Sequence, residues 1–295
     1  RRRRSAAPSR RQTGAGGTPG GSRCSANTPG WANPSPSPED YQTNQENEDN
    51  KTLPIVFPKI KYHTGYFNNA NYVSDSTFEF YNILREKSSN IHAKKQQKLS
   101  HKLKLKKELI KYNSKIIFET EVYNQGFNTE NKLISGDDYS TGTYYRLFPI
   151  LGVSAESPFK FKNILNEFTI SPKIHAVITP GISNSDKISN EDSTNNDLTL
   201  ENMFTLNRYS GNDKLDNSKR ITYGIKTYSN NFKSSLAQYY EFIENSDFHK
   251  DQENDDKLSD LLGSMEYFGK YELSYNFRYD LEDSYIKNQN INKSL

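Results

Sequence analysis

From Leu53 onward the chain reads as short segments in which apolar and polar residues alternate. In 271–280, Tyr271, Leu273, Tyr275, Phe277 and Tyr279 share one face, and Glu272, Ser274, Asn276, Arg278 and Asp280 share the other. A period of two is that of a strand with one apolar and one polar face. Residues 219–228 repeat it, with Ile221, Tyr223 and Ile225 against Thr222, Gly224 and Lys226. Residues 115–124 set Ile116, Phe118 and Val122 opposite Ile117, Glu119 and Glu121, and Phe159 and Phe161 alternate with Lys160 and Lys162. The pattern predicts about ten strands: 55–67, 75–85, 98–110, 115–124, 143–162, 166–180, 219–228, 233–244, 261–268 and 271–280. The basic stretch 98–110 has a second reading. Leu99, Leu103 and Ile110 fit one stripe of an amphipathic helix, whereas Leu103 and Leu105 among Lys102, Lys104 and Lys106 fit a strand. Its neighbours are strands, which favours the strand.

The connections between these segments alternate short and long. Outer-membrane barrels sort their loops this way, with short turns on the periplasmic side and long loops outside. The expected fold is therefore all-β: an antiparallel transmembrane β-barrel fragment with an open sheet. Residues 86–97, 125–142, 181–218 and 245–260 are the expected extracellular loops. Polar strand faces would line a wet lumen, and the Tyr and Phe positions would meet lipid or its interfaces.

Composition agrees with one-sided burial. Hydrophobic residues make up 33% of 295, yet there are 20 Tyr and 16 Phe, too many aromatics for plain disorder. No apolar run approaches the length of a membrane-spanning helix, and barrel strands escape that test. Residues 1–38 hold seven Arg and neither Lys nor acid; with those seven removed from 39 basic residues, the remaining 32 face 36 acidic ones. The formal charge of +3 belongs to this tail, so the body is not a nucleic-acid binder by charge. Residues 1–52 are expected to be a disordered, low-complexity basic tail, either a functional arm or a segment foreign to the rest, and 53–295 the partial barrel. The chain starts at Arg1, its first Met is Met203 and its end KNQNINKSL is polar, so a fragment of a longer protein is expected.

Catalytic and metal-binding patterns are absent. His63, His92, His101, His175 and His249 are scattered, Cys24 is the only cysteine, and there is no GxSxG. GSMEYFGKY (263–271) has the wrong glycine spacing for a phosphate loop. The Asn/Asp-rich stretch 184–197 lacks the spacing of a Ca²⁺ loop and reads as a solvated loop. No cofactor, metal or enzymatic activity is expected.

The most specific stretch is 190–224. It contains, in order, Asn190, Glu191, Asp192 and Ser193, then NMF (202–204), NRYSGND (207–213) and RITYG (220–224). With LPIVFPKIKY (53–62), YRLFPILGVSAESPF (145–159), ISPKIHAVITPG (170–181), LAQYYEF (236–242), LSDLLG (258–263) and YNFRYD (275–280), this series resembles the barrel region of LptD (OstA/Imp), the lipopolysaccharide-assembly family of Gram-negative outer membranes. The resemblance covers about 53–281. The family's periplasmic jellyroll, the barrel ends that form its lateral gate, and its cysteines have no counterpart here, and Asn212 stands where the family often has an aromatic. The resemblance implies transport in the cell outer membrane rather than catalysis. The implied partners are lipopolysaccharide, an LptE-type lipoprotein plug and a periplasmic transport bridge reached through the N-terminal domain. Arg208 and Arg220 border the long loop and either meet lipid A phosphates or core sugars, or pair with Asp213, Asp216 or Glu201 to fold the loop. Asn207, Tyr209, Gly211 and Gly224 read as structural: a motif position, an aromatic anchor, a tight turn and a strand glycine near a bend. Two other readings stay open, a different outer-membrane channel or receptor barrel and a soluble β-sandwich surface protein.

Overall fold

The computed structural model describes residues 50–65, 67–69, 72–89, 91–162, 167–193, 198–243 and 257–294. The expected tail (except 50–52), His249 and most of the expected loop 245–260 lie outside these residues. Among the described residues thirteen strands form a single antiparallel sheet. They are β1 Ile55–His63, β2 Phe67–Asn69, β3 Tyr72–Leu84, β4 Lys95–Lys111, β5 Ser114–Ser135, β6 Asp138–Glu156, β7 Phe159–Lys162, β8 Glu167–Ile178, β9 Lys219–Ser229, β10 Phe232–Glu241, β11 Leu261–Phe268, β12 Glu272–Asp280 and β13 Tyr285–Ser294. The sheet runs β1-β3-β4-β5-β6-β8-β9-β10-β11-β12-β13, with β2 paired to β3 and β7 to β8. It is open: β1 and β13 are its two edges. Nearly all pairings join strands adjacent in the chain, as in an up-and-down barrel wall.

Thirteen strands rather than about ten arise in three places. The expected strand 55–67 breaks after His63, where Gly65 has φ of +78°, giving β1 and β2. The expected strand 143–162 breaks at Ser157–Pro158 into β6 and β7. The polar end of the chain, which alternation did not mark, pairs with β12 as β13. The expected long loop 125–142 is instead strand on both sides of Gly136 and Asp137, because β5 and β6 extend to 22 and 19 residues. Short connections remain elsewhere. Tyr112 and Asn113, with φ of 50° and 61°, form the two-residue turn between β4 and β5, the hand that suits a hairpin.

Register gives the sheet two chemically different faces. Lys98 on β4 stands opposite Tyr81 and Phe127, while Leu99 stands opposite Phe80 and Gly126. The face holding Leu99, Leu105, Phe118, Leu147, Leu151, Ile174, Tyr223 and Ile225 is exposed and apolar. The inner face carries the charges. Lys102 and Lys104 both reach Glu121, at 3.0 and 3.2 Å, and Lys106 reaches Glu119 at 3.3 Å. These cross-strand pairs come from a period of two, and they exclude the helical reading of 98–110.

The core lies between the inner face and the described parts of the β8–β9 connection, 179–193 and 198–218. This segment does not stand off the sheet as an external loop; it folds back against the wall. Leu206 and Leu215 pack with Tyr123, Phe148, Ile150 and Val177. Leu198 and Met203, on a short 3-10 turn at Asn202–Phe204, pack with Ala237, Tyr239 and Leu262. The inner face is therefore not a uniformly wet lining here. Burying each such side chain stabilises the arrangement by roughly 1.5–3 kcal/mol, which a loop left in water would forgo.

Candidate functional site

The inserted segment is held by a hydrogen-bonded lattice built from the two halves of the 190–224 motif. Asn190 and Ser193 close a local turn: the Asn190 amide donates to the Ser193 carbonyl at 2.6 Å, and the Ser193 N–H donates back to Asn190 Oδ1 at 3.0 Å. Asp192 Oδ1 then accepts the backbone N–H groups of Asn212 and Asp213 at 2.9 and 2.7 Å. The Ser193 hydroxyl accepts those of Asp213 and Lys214, both at 2.9 Å. Gly211 sits where these strands of the lattice touch, and a Cβ there would lie 2.2 Å from the Asp192 carbonyl oxygen. Asn207 Oδ1 accepts the N–H of Tyr209 at 3.3 Å and that of Asp216 at 3.0 Å. Tyr209 is buried.

Buried charges tie this lattice to the sheet. Asp213 accepts from Lys98 Nζ at 2.5 Å, from the Tyr81 hydroxyl at 3.1 and 3.2 Å, and from the Glu191 and Asp192 N–H groups at 2.7 and 3.2 Å. That donor set suits an ionised carboxylate. Glu191 takes a two-pronged contact from Arg85 at 2.9 and 2.5 Å. Arg146 reaches the Asn212 and Asp213 carbonyls, both at 2.9 Å, while bonding Gln125 beside it. Burial pushes the Glu191 pKa up, but the His92 ring nitrogen 3.5 Å away and the Arg85 fork outweigh it, so the carboxylate titrates below its ordinary range. Asp192 is also held low: burial opposes ionisation, and Lys98 with the surrounding N–H donors overrides it.

A second charge cluster anchors the far end. Arg208 and Arg220 are buried to 1% exposure. Arg208 donates to both oxygens of Asp216, at 2.6 and 3.0 Å, and lies 3.4 Å from Glu241. Arg220 donates to Asp216 at 2.9 Å and to the Thr205 carbonyl. Asp216 thus serves two guanidinium groups, whose pairing falls to Asp216 and Glu241 rather than to Asp213 or Glu201. Glu241 in turn accepts from the Ser218 hydroxyl at 2.7 Å and the Lys219 N–H at 2.7 Å. Gly224 lies within β9 opposite Ala237, and the Phe204 ring approaches to 3.2 Å from where its Cβ would be.

The sequence motif therefore gathers into one structure. Of its partners on the wall, Arg146 and Glu241 lie in the quoted stretches 145–159 and 236–242 but were assigned no partner, and Arg85, Gln96 and Lys98 were not singled out by sequence. Arg85, Gln96, Lys98, Arg146 and Glu241 each sit on the polar face of a strand or at a strand end. Alternation placed several of them on that face without naming a partner. Beside the inserted segment two cavities open on the inner face. One, of about 630 Å³, lies between Leu200, Glu201, Asn276, Arg278, Lys287 and Asn288. The other, of about 270 Å³, lies between Lys173, Phe204, Lys226, Lys233 and Glu266. Among the described residues, no group of three or more His, Cys, Asp or Glu is placed to hold a metal ion. No helix among them is long and apolar enough to cross a membrane, a test that says nothing of strands.

One antiparallel sheet, apolar outside and charged inside, with a connection folded onto its inner face, defines the class: a β-barrel wall protein with an internal segment. The chain matches the family described as LptD, LPS transport system D, over residues 30–294, and it belongs to that family. The match reaches beyond 53–281 in both directions. The family is one of lipopolysaccharide transport, not a known enzyme family. Comparison with curated proteins gives no match.

Proposed function

We propose that this chain forms part of the outer-membrane barrel that inserts lipopolysaccharide into the outer leaflet, with no catalytic role of its own. The observation that carries the reading is the division of the sheet: exposed Leu, Ile, Phe and Tyr on one face, and paired charges with two polar cavities on the other. An apolar exterior suits lipid, and a polar interior suits the sugars and phosphates of a glycolipid. In this reading residues 53–295 are wall and 1–52 a basic tail. The segment 179–218 is a fixed internal buttress that narrows the interior, and Arg208, Arg220 and Asp213 hold that segment rather than touch the glycolipid. An LptE-type lipoprotein and a periplasmic transport bridge are the partners the reading requires.

The test is expression of the full chain into outer membranes. A heat-modifiable barrel that co-purifies with a small lipoprotein, and that cross-links to lipopolysaccharide from inner-face positions such as Asn276, supports the reading. A barrel with neither partner nor glycolipid cross-link favours a channel or receptor. A water-soluble monomer favours the soluble β reading.

A further inference from the structure

Most inner-face lysines described above have a carboxylate partner. Lys98 has Asp192 and Asp213, Lys102 and Lys104 have Glu121, and Lys106 has Glu119. The 270 Å³ cavity breaks this pattern. Lys173 on β8 and Lys226 on β9 both line it. Lys173 stands opposite Gly224, two residues from Lys226 and on the same face, so the two are diagonal neighbours. Among the described residues neither has an acidic side chain within ion-pair distance, although Lys233 at the rim has Glu266 at 3.6 Å. Both are half-buried. Lys173 Nζ lies 4.4 Å from the centre of the Phe204 ring, which takes part of its hydration and supplies no negative charge. Glu156 stands opposite Lys173 on β6, and Glu201 and Glu266 line the same cavity, but none of them is within ion-pair distance of Lys173 or Lys226. The two partly desolvated ammonium groups therefore still repel each other, and an anion bound between them relieves that repulsion.

We propose that Lys173 and Lys226 bind a phosphate-class anion, with Leu200 and Phe204 walling the cavity around the organic body that carries it. This rests on the transport reading, which brings solutes to the inner face. The same chemistry serves a phosphorylated glycolipid headgroup or free inorganic phosphate. A lysine ammonium meets phosphate as a point charge, which needs no two-pronged geometry.

The experiment uses the full chain in outer membranes, with a photo-crosslinking residue at Ser235, which lines the cavity, and a second version carrying it at Asn276, which does not. The probes are lipopolysaccharide, its dephosphorylated form and inorganic phosphate. The expected result is that capture at Ser235 falls on the order of tenfold for the dephosphorylated probe, and equally for K173Q/K226Q. K173R/K226R, which keeps both charges, restores it. If glycolipid capture is insensitive to these changes but the ³¹P signal of inorganic phosphate broadens with wild type and not with K173Q/K226Q, the site stands and its ligand is free phosphate. Unchanged capture at Ser235 together with unchanged ³¹P broadening in K173Q/K226Q overturns the site, and persisting capture at Asn276 then leaves the transport reading intact. Absence of capture at both positions in the wild type overturns the transport reading, and the ³¹P comparison alone then decides the site.

Discussion

Lys98 and Asp213 are 115 residues apart in sequence and 2.5 Å apart in space, with both side chains fully buried. One belongs to the wall, the other to the inserted segment. Their contact makes the segment part of the wall rather than a loop above it.

Removing one partner leaves the other buried charge with only its remaining contacts, Asp192 for Lys98 and the Tyr81 hydroxyl with two N–H groups for Asp213. The cost therefore approaches but does not exceed the roughly 3–5 kcal/mol of a broken buried pair. Lys98→Met and Asp213→Asn are each expected to release 184–218 to protease and to lower the temperature at which the folded band is lost on a gel. The double variant is expected to recover part of that loss. Additive losses in the double variant would mean the two groups act independently.

Asp216 carries the second anchor, since Arg208 and Arg220 both depend on it. Asp216→Ala leaves buried Arg220 without its carboxylate and Arg208 with the longer contact to Glu241, and is expected to be the most damaging single change in the segment. Arg208→Lys keeps the charge but loses the two-pronged geometry, at a cost of about 1.5–3 kcal/mol. Denaturant unfolding of the detergent-solubilised protein orders the two; Arg208→Lys equal to wild type would remove the geometric argument.

Acid is expected to loosen the segment. Glu191 and Asp192 have folded pKa values below their ordinary values of 4.5 and 3.8. A carboxylate depressed on folding contributes stability above its unfolded pKa and loses it as pH falls through the folded value. Protection of 184–193 from hydrogen exchange should therefore hold from neutrality to about pH 4.5 and fall below it. Glu191→Gln should flatten part of that fall. Protection unchanged down to pH 3 in the wild type would show that these carboxylates do not hold the segment.

Two glycines distinguish hard from soft contact. A Cβ at Gly211 would meet the Asp192 backbone at 2.2 Å, whereas one at Gly152 would meet the Leu206 Cδ2 methyl at 2.3 Å. A flexible side chain yields more easily than backbone, so Gly211→Ala is expected to cost more than Gly152→Ala within the roughly 1–3 kcal/mol range for overpacking. Thermal unfolding of the two variants side by side checks the order.

Sequence by itself determined the strands and their two faces. A period of two depends only on backbone geometry, so Tyr223 and Ile225 could be set against Thr222 without any neighbour, and Leu103 and Leu105 against their lysines. It also supplied the ordered motif that carries the family. Alternation failed where its contrast is weak: β13 is polar on both faces and earns its place through backbone pairing with β12. It failed again at 125–135, where polar residues continue the ladder of β5 beyond the apolar stretch.

Tertiary structure alone decided where 179–218 goes. The segment reads as polar, and polarity in a loop signals water unless buried partners exist. Those partners are Arg85 just after β3, Lys98 on β4, Arg146 on β6 and Glu241 on β10, spread over up to 156 positions along the chain. Each is an ordinary residue on or at the end of a polar strand face until the fold sets it against this segment. The identity of a buried ion pair is a property of the folded arrangement and not of either segment, which is why the motif could be recognised while the pairing of its anchors could not.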